Sequence, residues 1–209
     1  FLDIVLSLFA ILILLLPFLI ICLLIVIDDP GPVFFRQKRV GRKKNGKITY
    51  FSLCKFRTMK VSAPHDVPTH LLKNPDEYIT RVGKFLRKTS LDELPQIYQI
   101  FTGKMSCVGP RPQLVRDMTF MTDKQRRRHS VRPGLTGLAQ ISGRNAITWE
   151  DKLACDIRYV DNISFLGDVK ILFTTVSKVF KREGITEENM ETAEDFGDYL
   201  LRSGSVTPE

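Results

Sequence analysis

The sequence predicts an α/β protein in which a compact domain of helices and short strands follows an N-terminal membrane helix. Three observations support this. Residues 4–27 carry no charge and are dominated by Leu, Ile, Val and Phe. Short β-type runs follow on both sides of an Asn-Gly turn. From residue 80 onward, apolar residues recur at the spacing of amphipathic helices. The length of 209 residues leaves room for one core domain.

The uncharged segment predicts membrane attachment. As a helix, residues 4–27 would be roughly 36 Å long, against a hydrocarbon thickness of about 30 Å. A secretory signal peptide is disfavoured because no small-residue cleavage site follows. Pro17 removes one helical hydrogen bond, so we expect a kink or reversal there, and Asp3 is poorly placed in hydrocarbon. Spanning and re-entrant insertion both stay open, while the basic loop that follows favours the cytoplasm for the rest of the chain.

A β-hairpin is predicted for this basic stretch. Residues 33–35 and 48–51 are typical of short strands, and Asn45-Gly46 is a hairpin turn signal. After them, basic residues alternate with apolar or neutral ones, which would turn Lys55 and Arg57 to one face of an extended segment. Two cations on one face could bind phosphates, or they could guard a solvated sheet edge.

Two helices are predicted next, one capped by Thr80 and one that begins near Asp92 and stops at Gly103. The side chains expected to face the core are Val82, Phe85 and Leu86 in the first helix and Leu94, Ile97, Tyr98 and Phe101 in the second.

Two adjacent carboxylates, Asp92 and Glu93, stand where the second helix should begin. With Asp92 as the cap, Pro95 falls in the first turn, where its missing donor costs little. The positive end of the helix dipole then favours the ionised carboxylates by about 0.3–1 kcal/mol. An ionised Asp can act as a nucleophile, and a neighbouring Glu can hold a divalent cation. A structural role is open too, because Ser90 and Glu93 match a capping box.

Arginines downstream give the carboxylate pair a chemical context. Prolines on both sides of Arg111 would aim its guanidinium. Together with the carboxylates, this suggests metal-assisted phosphoryl chemistry. Residues 131–145 are rich in glycine and arginine; the glycines permit close backbone approach to a ligand, and Arg132 and Arg144 offer forked donors to phosphate.

Two further helices are predicted in the C-terminal half. The first covers residues 149–159 and contains Asp156, and the second follows Asp168. The apolar face of the second helix consists of Val169, Leu172, Phe173, Val176, Val179 and Phe180. This face either packs on the core or lies in the membrane interface, and the sequence leaves both readings open.

Charge is divided unevenly along the chain. From Glu183 onward, eight acidic residues and one basic residue give a net charge of −7. Because the whole chain has a net charge of +8, the part before Glu183 has a net charge of +15. We expect the tail to be a mobile acidic appendage and the body to meet a membrane surface, phosphate-rich substrates or a nucleic acid. Four scattered cysteines without a Cys-x-x-Cys pair argue against zinc.

Five ordered motifs resemble those of a known family. They are Asp28-x-x-Gly31-Pro32-Val33-Phe34-Phe35-x-Gln37-x-Arg39-x-Gly41, Lys55-Phe56-Arg57-Thr58-Met59, Ser90-Leu91-Asp92-Glu93-Leu94-Pro95-Gln96, Gly109-Pro110-Arg111-Pro112 and Arg132-Pro133-Gly134-Leu135-Thr136-Gly137. In this order they look like the bacterial sugar transferases, the monotopic polyprenol-phosphate phosphoglycosyl transferases, of the small bacillosamine-phosphate-transferase-like type. The resemblance covers nearly the whole chain up to the acidic tail.

The resemblance implies a fold and a reaction. The fold is a compact α/β catalytic domain at residues 28–183, carried by a re-entrant membrane helix at residues 1–27 and by interfacial amphipathic helices, with the acidic tail at 184–209. The reaction transfers a sugar-1-phosphate from a UDP-sugar to a polyprenol phosphate such as undecaprenyl phosphate. It uses Mg²⁺, releases UMP and takes place at the cytoplasmic face of the bacterial inner membrane.

The resemblance also implies site residues. Asp92 would be the nucleophile that forms a covalent phosphosugar intermediate, Glu93 with Asp92 would bind Mg²⁺, and Arg111 would hold a phosphate. The other residues expected to bind substrate are Lys55, Arg57, Gln113, Arg132, Arg144, Asp156 and Asp168. The chain departs from the family at Leu16-Pro17, where Ser-Pro is common, and at Cys54, where Tyr is frequent.

Two rival functions follow from the same residues. A membrane-tethered nucleic-acid-binding module would use the basic body, but acidic pairs oppose phosphate binding unless a metal intervenes, so we expect no nucleic acid. A phosphohydrolase would use the same carboxylates with water as acceptor. The donor sugar stays open between a UDP-linked N-acetylated hexosamine, which we expect, and UDP-galactose or UDP-glucose. Assembly into a homo-oligomer stays open as well.

Overall fold

The computed structural model describes residues 2–64, 72, 74–143, 147–181 and 195–204. Its helices and strands are α1 (Leu2–Asp28), β1 (Phe34–Lys44), β2 (Lys47–Phe56), α2 (Pro75–Tyr78), α3 (Arg81–Thr89), α4 (Gln96–Phe101), β3 (Ser106–Val108), α5 (Asp123–Arg126), β4 (Gly134–Thr136), α6 (Leu138–Ser142), α7 (Trp149–Asp161), α8 (Phe165–Lys181) and α9 (Phe196–Arg202). Short 3-10 segments lie at Leu91–Glu93, Arg116–Phe120 and Arg127–Ser130. The predicted mixture of helices and short strands is confirmed.

The β-hairpin forms where the sequence predicts it and is longer than expected. β1 and β2 pair antiparallel around Asn45 and Gly46, whose positive φ angles of 50° and 79° match the tight turn of a two-residue hairpin. Lys55 pairs with Phe35 near the far end of β2. The second sheet is small: β3 and β4 pair in parallel, with Ser106 opposite Gly134 and Val108 opposite Thr136.

The N-terminal segment is one continuous α-helix, and Pro17 lies inside it. The reversal expected at Pro17 therefore does not interrupt the helix. The proline costs one hydrogen bond, whereas a non-helical stretch would leave several backbone groups without partners in an apolar environment. Among the residues that the structure describes, α1 is the one helix long and apolar enough to cross a membrane by length and composition.

Both ends of α1 are attached to the same domain. At the start of the helix, the Asp3 carboxylate accepts hydrogen bonds from the backbone N–H of Cys107 at 2.8 Å and from Arg132 Nη2 at 2.7 Å. At its other end, the Asp28 carboxylate accepts from the backbone N–H of Val82 at 2.8 Å. Acidic residues at both helix ends therefore bond to polar groups of the domain.

Between these ends, α1 packs on the domain along one face. Ile21 and Ile25 join Phe56 of β2 and Leu86 of α3 in a buried cluster. The opposite face is apolar and exposed, with Leu12 67% and Leu16 68% exposed. An exposed apolar face of this size is typical of a membrane-facing surface.

The predicted faces of α3 and α4 are only partly right. Leu86 is fully buried, but Phe85 is 58% and Tyr98 63% exposed, and α4 turns Gln99 and Ile100 inward instead. The reason is a bond to the hairpin: the Gln99 side chain accepts from the backbone N–H of Cys54 at 3.1 Å and donates to the Ser52 carbonyl at 2.6 Å. These two bonds pair backbone groups of β2 that the hairpin leaves unpaired, and they decide which face of α4 is buried. Gly103 follows α4 with φ 74°, as the stop signal predicts.

The apolar stripe of α8 is divided between two surroundings. Ile171 is buried among residues of β3 and α7, and Leu172 is partly buried beside it. Phe173 and Val176 are exposed, as is Leu166 in the first turn. The stripe therefore does not serve core packing alone, since part of it faces outward.

The acidic C-terminal region was expected to be an appendage. Its described part, residues 195–204, instead packs on the domain through α9. Phe196 is 3% exposed and lies in a cluster with Met121 and Leu153. Phe196, Tyr199 and Leu200 recur at helical spacing and form its apolar face, a short signal that the strongly acidic composition of the region concealed.

Candidate active site

The carboxylate pair lies in a short turn between two helices. Asp92 and Glu93 belong to the 3-10 segment Leu91–Glu93, and α4 begins only after Pro95. Ser90 takes a left-handed conformation with φ 57° and makes no side-chain cap. The predicted helix cap at Asp92 and the capping box are therefore wrong. Because α3 ends at Ser90 by reversing the chain, both carboxylates fall in the connection.

Two cations converge on these carboxylates from distant parts of the chain. Lys55 Nζ lies 2.7 Å from Glu93 Oε1 and 3.5 Å from Asp92 Oδ2. Arg111 Nη2 lies 2.7 Å from the same Glu93 oxygen. The Asp92 side chain is 14% exposed, whereas that of Arg111 is 50% exposed. The group of Lys55, Asp92, Glu93 and Arg111 is called the dyad cluster below.

The two carboxylates differ in their electrostatics. Burial raises the pKa of Asp92, and the Glu93 charge raises it further, although Lys55 opposes both. Burial would also raise the pKa of Glu93, but Arg111 and Lys55 outweigh it and hold that pKa well below its usual range. The helix dipole was expected to favour ionised Asp92, but Asp92 lies before the first residue of α4, and burial raises its pKa. Glu93 is therefore the firmly ionised member of the pair.

A buried ion pair supports Arg111 from behind. Arg128 is 2% exposed and donates to the backbone carbonyl of Arg111 at 2.8 Å. Its guanidinium also donates to Asp156 Oδ2, from Nη2 at 2.6 Å and from Nε at 2.9 Å. Asp156 therefore acts on the site through Arg128. Sequence reasoning did not single out Arg128, because it lies in a run of basic residues that looks like a solvated surface.

The Pro-Arg-Pro turn is anchored to β1 on its other side. The backbone N–H of Val40 donates to the Gln113 carbonyl at 3.0 Å, and Arg39 Nη1 donates to the Pro112 carbonyl at 3.4 Å. Gln113 is buried, 8% exposed. The structure thus places Gln113 in the segment that carries Arg111, where its backbone helps to fix the turn.

Three of the predicted substrate-binding residues lie away from the dyad cluster. Arg57 is buried and pairs with Asp29, Arg132 pairs with Asp3, and Asp168 accepts from the Tyr159 hydroxyl at 2.9 Å. Arg57 and Arg132 thus attach the two ends of α1 to the domain. Arg144 lies outside the described residues.

The glycines near Arg132 serve chain packing. A Cβ atom on Gly134 would lie 2.2 Å from the backbone nitrogen of Gly109, and one on Gly137 would lie 2.1 Å from the Gly109 carbonyl. At Gly134 and Gly137 the close approach is to the backbone at Gly109, directly after β3.

Among the described residues of the dyad cluster, the two carboxylates are the groups that could hold a divalent cation. Among the residues that the structure describes, no group of three or more His, Cys, Asp or Glu side chains could hold a metal. Mg²⁺ does not need such a group, because it is commonly bound by one or two carboxylates together with substrate phosphates. The oxygens of Asp92 and Glu93 fit this mode of binding.

Comparison with known proteins identifies the family. The model of the bacterial sugar transferase family matches residues 1–182. The chain belongs to the bacterial sugar transferase family. The sugar transferase EpsL of Bacillus subtilis is 51% identical over 167 residues, which cover 79% of each chain. The segment 195–204 of this sugar transferase lies beyond the family match.

Two longer relatives have more specific names. The UDP-glucose:undecaprenyl-phosphate glucose-1-phosphate transferase of Escherichia coli is 42% identical over 77% of this sugar transferase and 35% of the relative. The undecaprenyl-phosphate galactose phosphotransferase of Salmonella typhimurium is 37% identical over 76% and 36%. The sugar transferase thus spans about a third of the length of these two relatives.

Proposed function

We propose that this sugar transferase moves a sugar-1-phosphate from a UDP-sugar to a polyprenol phosphate and releases UMP. The observation that carries the proposal is the dyad cluster: two carboxylates and two cations converge at the surface of a domain that carries an apolar helix. Cations suit a pyrophosphate substrate, and the apolar surface suits a lipid acceptor. The names of the Escherichia coli and Salmonella relatives support both substrates.

Asp92 is the nucleophile in this proposal. Its carboxylate attacks the sugar-bearing phosphorus of the UDP-sugar, the bond from that phosphorus to the bridging oxygen breaks, and UMP leaves with the electron pair. The product is an acyl phosphate between Asp92 and the sugar phosphate. An oxygen of the polyprenol phosphate then attacks the same phosphorus and regenerates the Asp92 carboxylate. Burial of Asp92 keeps water from competing with the lipid.

Glu93 and the two cations stabilise charge in these steps. Arg111 is half exposed, so its free donors can reach a substrate phosphate while Nη2 stays on Glu93. Lys55 is close enough to Asp92 to favour its ionised form. Bound Mg²⁺ would be held by Glu93 and Asp92 together with substrate phosphates, and would supply positive charge against the developing oxyanions.

The proposed topology is monotopic and re-entrant, with the domain on the cytoplasmic face of the inner membrane. Its support is that both ends of α1 bond to the same domain, at Asp3 and at Asp28. The exposed side chains of α8, such as Phe173, would lie in the interface. Cysteines at residues 2 and 44 of a cysteine-free background should be labelled from the same side by an impermeant reagent. Labelling from opposite sides would show a spanning helix.

The reaction is tested by UMP release from purified protein in detergent. UDP-N-acetylglucosamine, UDP-galactose and UDP-glucose are each supplied with Mg²⁺, with and without undecaprenyl phosphate. We expect release to depend on the lipid for one of these sugars. Release that is as fast without lipid would identify a hydrolase, and no release with any UDP-sugar would reject the proposal. Without lipid, the peptide that contains Asp92 should gain the mass of the phosphosugar.

A further inference from the structure

The C-terminal segment 195–204 packs against the start of α7, next to the site. The Phe196 ring lies 5.2 Å from that of Trp149, the first residue of α7. Gly197 fits closely over Phe120, since a Cβ atom on it would lie 2.8 Å from that ring. The segment lies beyond the residues that match the family, so the family gives it no role.

Polar bonds hold the segment on two sides. Arg116 pairs with Asp195 and, at 3.4 Å, with Asp198. The Tyr199 hydroxyl donates to Glu150 Oε2 in the first turn of α7 at 2.8 Å. Together with the buried Phe196 ring, these bonds give the segment a defined position relative to α7 rather than a loose surface contact.

Trp149 connects the segment to a lysine. Lys152 Nζ lies 4.9 Å from the centre of the Trp149 ring, in a cation–π contact. The Trp149 ring is therefore in contact with both Phe196 and Lys152. Because the ring touches both groups, holding it at Phe196 also restricts the position of the Lys152 ammonium group.

Lys152 lies on the part of α7 that is linked to Arg111 through Asp156 and Arg128. It is one helical turn before Asp156, so the two side chains share a face of α7. Asp156 binds Arg128, which donates to the Arg111 backbone. Burial lowers the pKa of Lys152, and the Arg111 charge lowers it further, in agreement with two neighbouring cations. Among the described residues, no ion pair joins Lys152 to a carboxylate, and its ammonium group contacts the Trp149 ring.

We propose that the segment 195–204 positions Lys152, through Trp149, to bind a substrate phosphate beside Arg111. The inference rests on the proposed function. Phe196 and Trp149 are positioning residues, and Lys152 is the binding residue. The ligand group is a phosphate oxyanion, which either the UDP-sugar or the polyprenol phosphate could present.

The only tryptophan of the chain, Trp149, gives a direct readout that does not require turnover. UDP in one arm and undecaprenyl phosphate in detergent in the other are titrated into the full-length protein while Trp149 emission is recorded. We expect a saturable change in one arm, which identifies the source of the phosphate. No change in either arm would overturn the proposal. An intact titration without UMP release would instead overturn only the proposed function.

Substitutions of Lys152 test its role as the binding residue. Lys152→Gln should raise the Kd of that ligand about tenfold, because one charge-assisted bond is lost. Lys152→Arg should restore most of the affinity. Lys124→Gln, on the exposed surface of α5, is the matched control and should leave the Kd unchanged. Equal Kd values for Lys152→Gln and the parent protein would contradict the role.

Loosening the segment tests positioning. Phe196→Ala should change the emission of the free protein and raise the same Kd, yet add little on the Lys152→Gln background, since both remove one contact. If Phe196→Ala does not fold, Arg116→Gln loosens the segment without changing its buried ring. A changed emission with an unchanged Kd, or additive effects in the double variant, would overturn positioning.

Discussion

Two ion-pair groups meet at Arg111, and they differ in their exposure. The dyad cluster binds the Arg111 side chain at Glu93 and leaves the guanidinium half exposed. The Arg128–Asp156 pair binds the Arg111 backbone, and its side chains are 1% and 4% exposed. An arginine–carboxylate pair therefore occurs twice: Arg111–Glu93 lies where a ligand can reach it, and Arg128–Asp156 lies where a ligand cannot.

Because of this difference in exposure, we expect the dyad cluster, and not the buried pair, to contact substrate. In the dyad cluster a phosphate can compete for Arg111, because water already reaches that side chain. In the buried pair, removing one partner would leave a charge without compensation in a region of low dielectric constant. We therefore expect changes in the dyad cluster to alter activity with little loss of stability, and changes in the buried pair to do the reverse.

The largest effect is expected for Asp92→Asn. An amide cannot attack the phosphorus, so turnover should fall by about a thousandfold or more, to the background of the assay. The midpoint of thermal unfolding should change little, since Asn has nearly the same size. Measuring UMP release and the unfolding midpoint on the same sample separates the two effects. An active Asn variant would exclude the covalent mechanism.

Arg128→Ala should mainly affect stability. It leaves Asp156 buried without its partner, so the free energy of unfolding should fall by about 3–5 kcal/mol, measured by denaturant titration in detergent. The double change Arg128→Met with Asp156→Leu removes both charges and should recover much of the loss. If Arg128→Ala were as stable as the parent protein, the buried pair would not support Arg111 in the way described.

Arg111→Lys should mainly affect activity. A point charge cannot hold Glu93 and a phosphate in the way that a planar fork does, so kcat/KM should fall about 10- to 100-fold. Stability should change by less than about 1 kcal/mol, because the side chain is half exposed. Arg126→Lys, which changes an exposed arginine outside the cluster, is the matched control. A rate near that of the parent protein would exclude forked phosphate recognition.

An effect that depends on pH is expected at Asp117. This buried residue faces Arg39, Arg116 and Asp195, and burial raises its pKa to about 6, with Asp195 adding to the rise. Since the folded pKa is raised, ionisation costs stability: the cost is absent below about pH 4, grows through pH 6 and is complete above it. Asp117→Asn should therefore stabilise the protein by roughly 2–3 kcal/mol at pH 7.5 and by little at pH 4.

Unfolding midpoints measured across this pH range check the prediction for Asp117. Asp123→Asn, at an exposed acidic residue of the neighbouring helix α5, should show no such pH dependence. A gain in stability that is equal at both ends of the pH range would show that the buried charge is not its cause.

Local features of the fold could be predicted from the sequence because short-range interactions decide them. Asn45 and Gly46 adopt the positive φ angles of a hairpin turn, and Thr80 caps α3 by accepting from the Gly83 N–H. The uncharged stretch before Asp28 forms a helix because its apolar side chains cannot bond to the backbone, so the N–H and C=O groups bond to one another within the segment. In each case the deciding atoms lie within a few residues of one another.

The roles of the individual cations were decided only by tertiary structure. In the sequence, Lys55 and Arg57 alternate in one short segment, yet Lys55 reaches Glu93 and Arg57 reaches Asp29. A basic residue becomes part of a site when the fold brings a carboxylate to it. Glu93 lies 38 positions after Lys55 along the chain, so only the fold brings the two side chains together. The family motifs identified Asp92, but local spacing carries no information on which distant charge is near. Long-range pairing, burial and the competition between them therefore decided the site.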